Sequence, residues 1–538
     1  MMKKLFASLT LAALTTLAAC GNGGGGGNVP QLVKGTGPAT APTPIGGPVL
    51  IGMGDSLTAG EQSDGLLGTL ATSPLSAYPG NAVYPGQDSG WFAILFDCLT
   101  STGGTCNHTS YSTTNASLAI LPLINAPGLG TQIVLNATTL LANTQSGCSA
   151  FNTAAFGAST WEGTRISPTT GIADLGVPGI TMHEAVAMTG PYEGPPGGTN
   201  CGYTTIPGDP TSGGLQSLVE SENQLFLPVL GEFAPAYGSN LTMLNVATGM
   251  SPKLTTVWLG ANDLLKYIFS AGTAPASDTP TQMAADLTKI IKSLTATGSK
   301  VLVADLPTLL PTTGHSVPQF FAQANLTANF TKLLEVESGG AIGPGPAAEY
   351  AAAIVADLGT NFGVTAGGYL TESGFLGTIE QAVPLIEANP ADPDFAAIQL
   401  DPTTKGSGLG SAYLTPAFVA QVQALNAAYN QAIDGVATSS GSNVALVPIS
   451  TFFNTASTTG IPVGPFTVTE QFGGGLTTWD GLHPSNVGYA VIANDFIATA
   501  DTAFGMTIPQ LSTAQLEGIL GTDPYYGTAI DPAVFPLQ

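Results

Sequence analysis

A strand–helix–strand pattern in the middle of the chain constrains the fold most. Thr255 to Leu259 and Val301 to Ala304 are short apolar runs, which is typical of buried strands. Between them, Thr279-Pro280 suits the start of a helix and Gly298 suits its end. A helical crossover of this length joins two parallel strands. The pattern therefore predicts an α/β fold with a mostly parallel sheet.

Further segments extend this pattern toward both ends of the chain. Val49 to Met53 is an apolar strand near the start. Thr415-Pro416 begins a second predicted helix, and Val444 to Ile449 is the strand that follows it. Ser485 is a suitable N-cap for a last helix through about Ala500.

Ser56 lies just beyond the first predicted strand, in the run Gly54-Asp55-Ser56-Leu57. A glycine permits a tight turn at the end of a strand, which lifts the serine hydroxyl out of the sheet. Ligands bind at strand ends in open α/β sheets, so Ser56 is a candidate nucleophile. A serine hydroxyl also needs a base nearby and hydrogen-bond donors for the oxyanion.

His483 and Asp480 have the spacing of a histidine with its orienting acid. They lie in the run Trp479 to Pro484, just before the last predicted helix. One turn of backbone brings the carboxylate to the imidazole, which fixes the tautomer and leaves the other ring nitrogen to accept a proton from serine. The alternative is a turn in which Asp480 acts only as a local cap.

The other three histidines carry no such signal. His108, His183 and His315 lie in segments without metal-ligand spacing, and His183-Glu184 lacks the second histidine of a zinc-protease helix. We expect them to be surface or structural residues, and we expect no metal site.

Asn262 and Gly179 are candidate oxyanion donors. Asn262 lies in the run Gly260 to Asp263 after a predicted strand, and its side-chain N–H is suited to an oxyanion. The alternative is that Asn262 or its neighbour only caps a helix. Gly179 belongs to a short predicted strand, Asp174 to Thr181, that ends in a Pro-Gly turn. Such a turn can place a backbone N–H near a substrate oxygen, but it also forms without any function.

Together these stretches resemble the GDSL, or SGNH, hydrolase family, whose sequence blocks they match in order. Gly54 to Leu57 matches the block of the nucleophile, and Gly260 to Asp263 matches the block of the oxyanion asparagine. Gly179 falls on the oxyanion glycine, and Asp480 to His483 matches the Asp-x-x-His block. The chain has no Gly-x-Ser-x-Gly run, so it lacks the nucleophile elbow of α/β-hydrolases.

The resemblance implies a three-layer αβα, flavodoxin-like domain with a mostly parallel sheet. It also implies a triad of Ser56, His483 and Asp480. The oxyanion would be bound by the Ser56 and Gly179 backbone N–H groups and by the Asn262 side chain. This chemistry needs no metal and no organic cofactor.

The first residues are typical of a bacterial lipoprotein signal. Two lysines precede a short apolar core, Leu5 to Ala19, and Leu17 to Cys20 is similar to a lipobox. We therefore expect a signal peptide at 1–19 and a lipid at Cys20, which would anchor the protein to a membrane of the bacterial cell envelope, at the outer membrane or the cell surface. The alternative is an ordinary secretory signal in which Cys20 is incidental.

Four cysteines remain beyond Cys20, and an even number in an exported chain suggests two disulfides. They are Cys98, Cys106, Cys148 and Cys201. Pairing the first two with each other and the last two with each other is the most local of three connectivities. The sequence leaves all three open.

The expected domain organisation is a Gly/Pro-rich linker at 20–46, the hydrolase domain at 47–505 and a C-terminal tail at 506–538. Long loop-rich insertions are predicted within the domain at about 61–170 and 310–410. Two apolar patches in the first insertion, Leu118 to Ile124 and Ile133 to Leu141, favour acyl chains as substrates.

The net charge of the chain and its intact motif blocks reduce the number of functions that we expect. The formal net charge is -24, so nucleic acid is not an expected partner. We expect a carboxylic ester hydrolase, an esterase or lipase that cleaves acyl esters through an acyl-enzyme. The first alternative is a polysaccharide O-deacetylase with the same triad. The second is a non-catalytic surface-binding lipoprotein, which a broken motif block would favour; none is broken. The oligomeric state is left open.

Overall fold

The computed structural model describes most of the chain between Val49 and Tyr526. The described residues are 49–62, 67–69, 83–110, 112, 114–124, 165–167, 171–187, 229–230, 233–237, 241–269, 272, 278–310, 320–337, 342–400, 412–470, 474–478, 482–523 and 525–526. Several predicted features lie outside them: the signal peptide at 1–19, the lipidation site Cys20, the linker at 20–46, His315, Cys148, Cys201 and Asp480.

The strands of the described residues form a central sheet and several smaller sheets. They are β1 (Leu50–Gly54), β2 (Leu67–Thr69), β3 (Val83–Pro85), β4 (Leu123–Ile124), β5 (Arg165–Ser167), β6 (Leu254–Trp258), β7 (Lys300–Ala304), β8 (Phe320–Ala322), β9 (Tyr369–Thr371), β10 (Tyr413–Leu414), β11 (Val444–Val447), β12 (Ile461–Val463) and β13 (Phe466–Val468).

The helices of the described residues range from one turn to more than six. They are α1 (Ser56–Ala59), α2 (Trp91–Thr100), α3 (Met182–Ala187), α4 (Ala234–Tyr237), α5 (Met243–Met250), α6 (Ala261–Phe269), α7 (Pro280–Ala296), α8 (Gln323–Glu337), α9 (Pro344–Phe362), α10 (Glu372–Ala388), α11 (Pro416–Ser439), α12 (Ile449–Thr458), α13 (Asn486–Phe504) and α14 (Thr513–Leu520). Among the described residues, no helix is long and apolar enough to cross a membrane.

The central sheet is parallel, with the strand order β1, β6, β7, β11. On the free side of β1, segment 173–177 runs parallel to it. The Gly52 N–H donates to the Ala173 carbonyl at 2.9 Å, and the Leu175 N–H donates to the Gly52 carbonyl at 2.9 Å. Every residue of β1 and β6 is buried, which is expected of a parallel sheet covered on both faces.

Helices pack on the sheet in two separate groups. In the first group, α7 contacts β7 and α11 contacts β11, and α3, α5 and α6 pack beside them. In the second group, α13 contacts β7 and β11 and packs against α2 and α14. Trp91 of α2 stacks on Phe496 of α13, with ring centroids 4.0 Å apart. The protein therefore has a mixed α/β structure, which is compatible with the predicted αβα layers.

The predicted helix starts are confirmed. The Thr279 hydroxyl accepts the Gln282 N–H at 3.1 Å at the start of α7, which has proline at its first position. Thr415 caps α11 in the same way, and Ser485 caps α13 by accepting the Gly488 N–H at 3.0 Å. A cap of this kind contributes about 1 kcal/mol to helix stability.

The prediction of a loop-rich insertion at 61–170 is wrong for its middle part, because α2 lies there and belongs to the main core. This helix buries nearly its whole circumference, so its sequence lacks the alternation of apolar and polar residues that marks a surface helix. Leu121 is fully buried, and Leu118 packs on the same core. The patch at 118–124 is thus structural and does not support an acyl-binding surface; the patch at 133–141 lies outside the described residues.

The prediction of a loop-rich insertion at 310–410 is also wrong. Residues 320–414, here called the helical lobe, contain α8, α9, α10 and an antiparallel sheet of β10, β9 and β8. The lobe has its own core, in which Phe375 stacks between Phe321 at 4.1 Å and Phe330 at 4.7 Å. Half of the four residues that helix α9 buries are alanines, Ala347 and Ala351, so its apolar face was weak in the sequence.

The tail predicted at 506–538 is part of the fold as far as Tyr526. Ser512 and Gln515 form a capping box at the start of α14. The Gln515 side chain also donates to the Cys106 carbonyl at 2.8 Å. Asp523 is buried and accepts the Val487 N–H at 2.8 Å, which ties the tail to α13.

The disulfide between Cys98 and Cys106 is present. It joins the last turn of α2 to the loop that follows, and both cysteines are buried. The local pairing is therefore confirmed for these two residues, whereas Cys148 and Cys201 lie outside the described residues.

Candidate active site

Ser56 is the first residue of α1, directly after the turn that ends β1. A Cβ on Gly54 would lie 1.9 Å from the Thr58 hydroxyl oxygen, so the turn requires glycine there. Asp55 is the N-cap of α1, and its Oδ1 accepts the Leu57 N–H at 3.0 Å. These contacts hold Ser56 at the carboxyl edge of the sheet, partly exposed to solvent.

The Asp55 carboxylate links this turn to the next strand of the sheet. Asp55 is 1% exposed, and its Oδ2 accepts the Asn262 side-chain amide at 3.2 Å. Burial raises the pKa of Asp55 to about 7, while the Leu57 N–H and the positive charge of His483 act in the opposite direction. Asp55 is therefore close enough to His483 for the two charges to interact.

Asn262 lies in the first turn of α6, two residues after Gly260, whose φ is 118°. Its Nδ2 donates to Asp55 and also to the Ile180 carbonyl, each at 3.2 Å. An amide nitrogen carries two hydrogens, and both have acceptors in this arrangement. A substrate oxyanion would therefore have to take the place of one of these two acceptors.

Gly179 lies in the loop that leaves segment 173–177, beside the end of β1. Its φ is 78°, a left-handed conformation that glycine adopts without strain. The Val177 N–H donates to the Gly54 carbonyl at 3.0 Å, and the Met182 N–H donates to Asp263 Oδ2 at 3.0 Å. The loop is thus attached to both neighbouring strand ends, next to Asn262 and Asp55.

His483 is 7% exposed and lies just before α13. Its carbonyl accepts the Thr478 N–H at 2.8 Å.

Two contacts bring the start of α13 to the Ser56 turn. Gln62 Nε2 donates to Asn486 Oδ1 at 2.7 Å, and the Tyr489 hydroxyl donates to the Glu61 carbonyl at 2.8 Å. The described residues therefore bring the surroundings of Ser56, Gly179, Asn262 and His483 together at one edge of the sheet. Asp480 lies outside them, so its orienting role stays a prediction.

Sequence reasoning missed Asp55 and Asp263 as positioning residues. Each is adjacent in sequence to a predicted site residue, Ser56 or Asn262, and each is fully buried. The available signal was a carboxylate a few residues beyond a buried strand. A buried carboxylate needs hydrogen-bond donors, and neighbouring segments have to supply them.

Two of the remaining histidines contact carboxylates elsewhere. His108 Nδ1 lies 2.8 Å from Asp97 Oδ2, and His183 Nδ1 lies 2.9 Å from Asp286 Oδ2. Each pair has a second aspartate nearby and has the spacing to hold a metal ion. The Asp97 oxygens also accept the backbone N–H and the hydroxyl of Ser117. The Asp97 carboxylate therefore already has hydrogen-bond donors within the protein.

Comparison of the chain with protein-family models, with curated proteins and with solved structures finds no match.

Proposed function

We propose that the protein is a serine ester hydrolase of the GDSL, or SGNH, type. The observation that carries the proposal is the convergence of the turn holding Ser56 with the loop of Gly179, with Asn262 and with His483. Counting segment 173–177 as the second strand, the strand order is 2-1-3-4-5, which is the flavodoxin-like order. That order supports the finer fold assignment.

The reaction follows from the roles of these groups. His483 takes the proton of the Ser56 hydroxyl as its oxygen attacks the acyl carbon. The oxyanion is stabilised by the Ser56 and Gly179 backbone N–H groups and by Asn262, and Asp480 orients the imidazole. His483 then protonates the leaving alcohol. A water molecule next attacks the acyl group on Ser56, and His483 takes the proton of that water. The acid is released as His483 returns the proton to the Ser56 oxygen.

The substrate is a carboxylic ester. A hydrolysis screen against p-nitrophenyl esters of increasing chain length and against acetylated glycans tests this, with Ser56→Ala as the matched control. Activity in the wild type that is lost in Ser56→Ala supports the proposal. An inactive wild type would favour the non-catalytic lipoprotein instead.

Removal of acyl groups from a polysaccharide is a second candidate function. It is favoured by a polar groove along α11, whose lining is mostly amide and hydroxyl groups. The same screen separates the two candidates, because a deacetylase prefers acetylated glycans over long-chain esters.

We further propose that a lipid on Cys20 holds the protein on a membrane of the bacterial cell envelope. The support is the similarity of Leu17 to Cys20 to a lipobox. Detergent partitioning of wild type and Cys20→Ala tests this. The wild type should enter the detergent phase and the variant should not.

A further inference from the structure

A polar groove of about 580 Å³ runs along α11, outside the residues assigned to catalysis. Its floor is one face of the helix, where Gln423, Asn426, Asn430, Asp434 and Thr438 follow one another at helical spacing. Between the first and last of these residues the helix rises about 22 Å. The groove can therefore hold an extended ligand.

One end of the groove lies at the carboxyl edge of the sheet. Gln423 Nε2 donates to the Leu310 carbonyl at 2.8 Å, in the segment that follows β7. The Asn430 side chain exchanges hydrogen bonds with the backbone of Leu306, at 2.8 and 2.9 Å. Ser56 follows β1 at the same edge, two strands away from β7, which corresponds to about 10 Å.

Most lining residues are polar, and one of them, Asp434, is acidic. Eight of its eleven residues carry an amide or a hydroxyl, and the lining contains no lysine, arginine, histidine or aromatic residue among the described residues. The groove therefore offers no cation for a phosphate or carboxylate. Amides and hydroxyls both donate and accept hydrogen bonds, as the hydroxyls of a sugar do.

Two buried polar atoms in the groove lack hydrogen-bond partners among the described residues. Asn426 is 4% exposed, and its Nδ2 has no acceptor. Asp434 Oδ1, two turns along the helix, has no donor. Leaving such groups unpaired is costly, so the groove is suited to a ligand that offers an acceptor and a donor along its length.

We propose that this groove binds a neutral glycan chain. Its hydroxyls would pair with Asn426, Asp434 and the amides beside them, and the chain would run toward the sheet edge that holds Ser56. That an ester on the glycan is then cleaved rests on the proposed hydrolase function, whereas binding itself does not.

Gly435 provides a direct test, because it lines the groove and an added Cβ there meets open space. Gly435→Trp should fill the groove without straining α11. Gly518→Trp is the matched control, since Gly518 is also helical, exposed and unobstructed but belongs to α14. The probes are cellohexaose, maltohexaose, xylohexaose and N-acetylchitohexaose, measured by isothermal titration calorimetry.

We expect at least one of these oligosaccharides to bind the wild type and Gly518→Trp equally. Gly435→Trp should weaken this binding at least tenfold and leave hydrolysis of p-nitrophenyl acetate unchanged. If Gly435→Trp does not fold, the double variant Gln431→Ala/Asn454→Ala replaces it, because both residues are exposed in the lining. It should weaken binding severalfold.

The inference is overturned if none of the four probes binds the wild type, or if the groove variants bind as the control does. Labelling of Ser56 by an active-site reagent is independent of both results. Neither result therefore contradicts the hydrolase proposal. Binding in the groove without labelling of Ser56 would have the opposite meaning: the hydrolase proposal fails and the glycan site stands.

Discussion

The side-chain amide of Asn262 donates to the carboxylate of Asp55 at 3.2 Å, although the two residues are 207 positions apart. This bond joins the turn after β1 to the turn after β6, the two places where the proposed nucleophile and the proposed oxyanion donor lie. It makes Asp55 a positioning residue for Asn262, in addition to its role as the cap of α1.

Replacing Asp55 tests this positioning role. Asp55→Asn keeps the size of the side chain but loses the charge and an acceptor. Losing one hydrogen bond to a charged group costs about 1.5 to 3 kcal/mol, so kcat should fall about tenfold or more while KM changes little. The acidic limb of the kcat/KM profile should also change, because Asp55, whose pKa burial raises to about 7, gains and loses its charge beside His483 in the same pH range.

Steady-state kinetics between pH 5 and 9 measure both effects. Asp495→Asn is a suitable control, since burial also raises the pKa of that carboxyl group but it lies in the middle of α13. An Asp55→Asn enzyme with wild-type kcat and an unchanged pH profile would contradict the role assigned to Asp55.

Asn262→Ala should act on the transition state rather than on substrate binding. The oxyanion exists fully only in the tetrahedral intermediate, and losing one donor costs on the order of 3 kcal/mol, or about 100-fold in kcat. Asn389→Ala, on the exposed end of α10, serves as control. A raised KM with unchanged kcat would assign Asn262 to substrate binding instead.

The disulfide between Cys98 and Cys106 should stabilise the end of α2. Closing a loop of this length restricts the unfolded chain and contributes about 2 to 3 kcal/mol in the chain-entropy model. Urea denaturation of wild type and of Cys98→Ser/Cys106→Ser should show this difference in the free energy of unfolding. Peptide mapping that found Cys98 or Cys106 joined to Cys148 or Cys201 would refute the pairing.

Acidification should stabilise the protein. Burial raises the pKa of Asp55 to about 7, that of Asp523 to about 6 and that of Asp174 well above its usual range. The folded state therefore binds more protons than the unfolded chain between about pH 4 and 7, and the free energy of unfolding falls as pH rises through this window. Urea denaturation should give a higher midpoint at pH 5 than at pH 8.

Asp174→Asn provides the control for this pH effect. Asp174 is 1% exposed, and its Oδ1 accepts the Gly176 N–H at 2.8 Å, which an asparagine oxygen can also do. The variant should show a smaller difference between the two pH values than the wild type. A wild type that is more stable at pH 8 would contradict the assigned direction.

Sequence patterns predicted the parts of the fold in which apolar periodicity and caps agree. Helices α7 and α11 were predicted because each starts at a capping residue and carries an apolar face, and α13 was predicted from its capping residue. Helix α2 was missed because it is buried nearly all round, and α9 was missed because half of its buried residues are alanines. In both helices tertiary packing, rather than local pattern, determines the structure.

The candidate site was predicted from short runs at strand ends, and the fold places those runs side by side. What the sequence could not give was the contacts between them. The bonds from Asn262 to Asp55 and from Met182 to Asp263 connect residues about 80 to 200 positions apart, so they depend on which strands become neighbours.

The measurement that tests the central claim most directly is covalent labelling with a fluorophosphonate, followed by peptide mass spectrometry. We predict a single adduct on the peptide that contains Ser56, none in Ser56→Ala, and strongly slowed labelling in His483→Ala, because the base that activates the hydroxyl is absent. Circular dichroism establishes that both variants are folded. An adduct on another serine with Ser56 unmodified, or labelling of folded His483→Ala at the wild-type rate, would contradict the account.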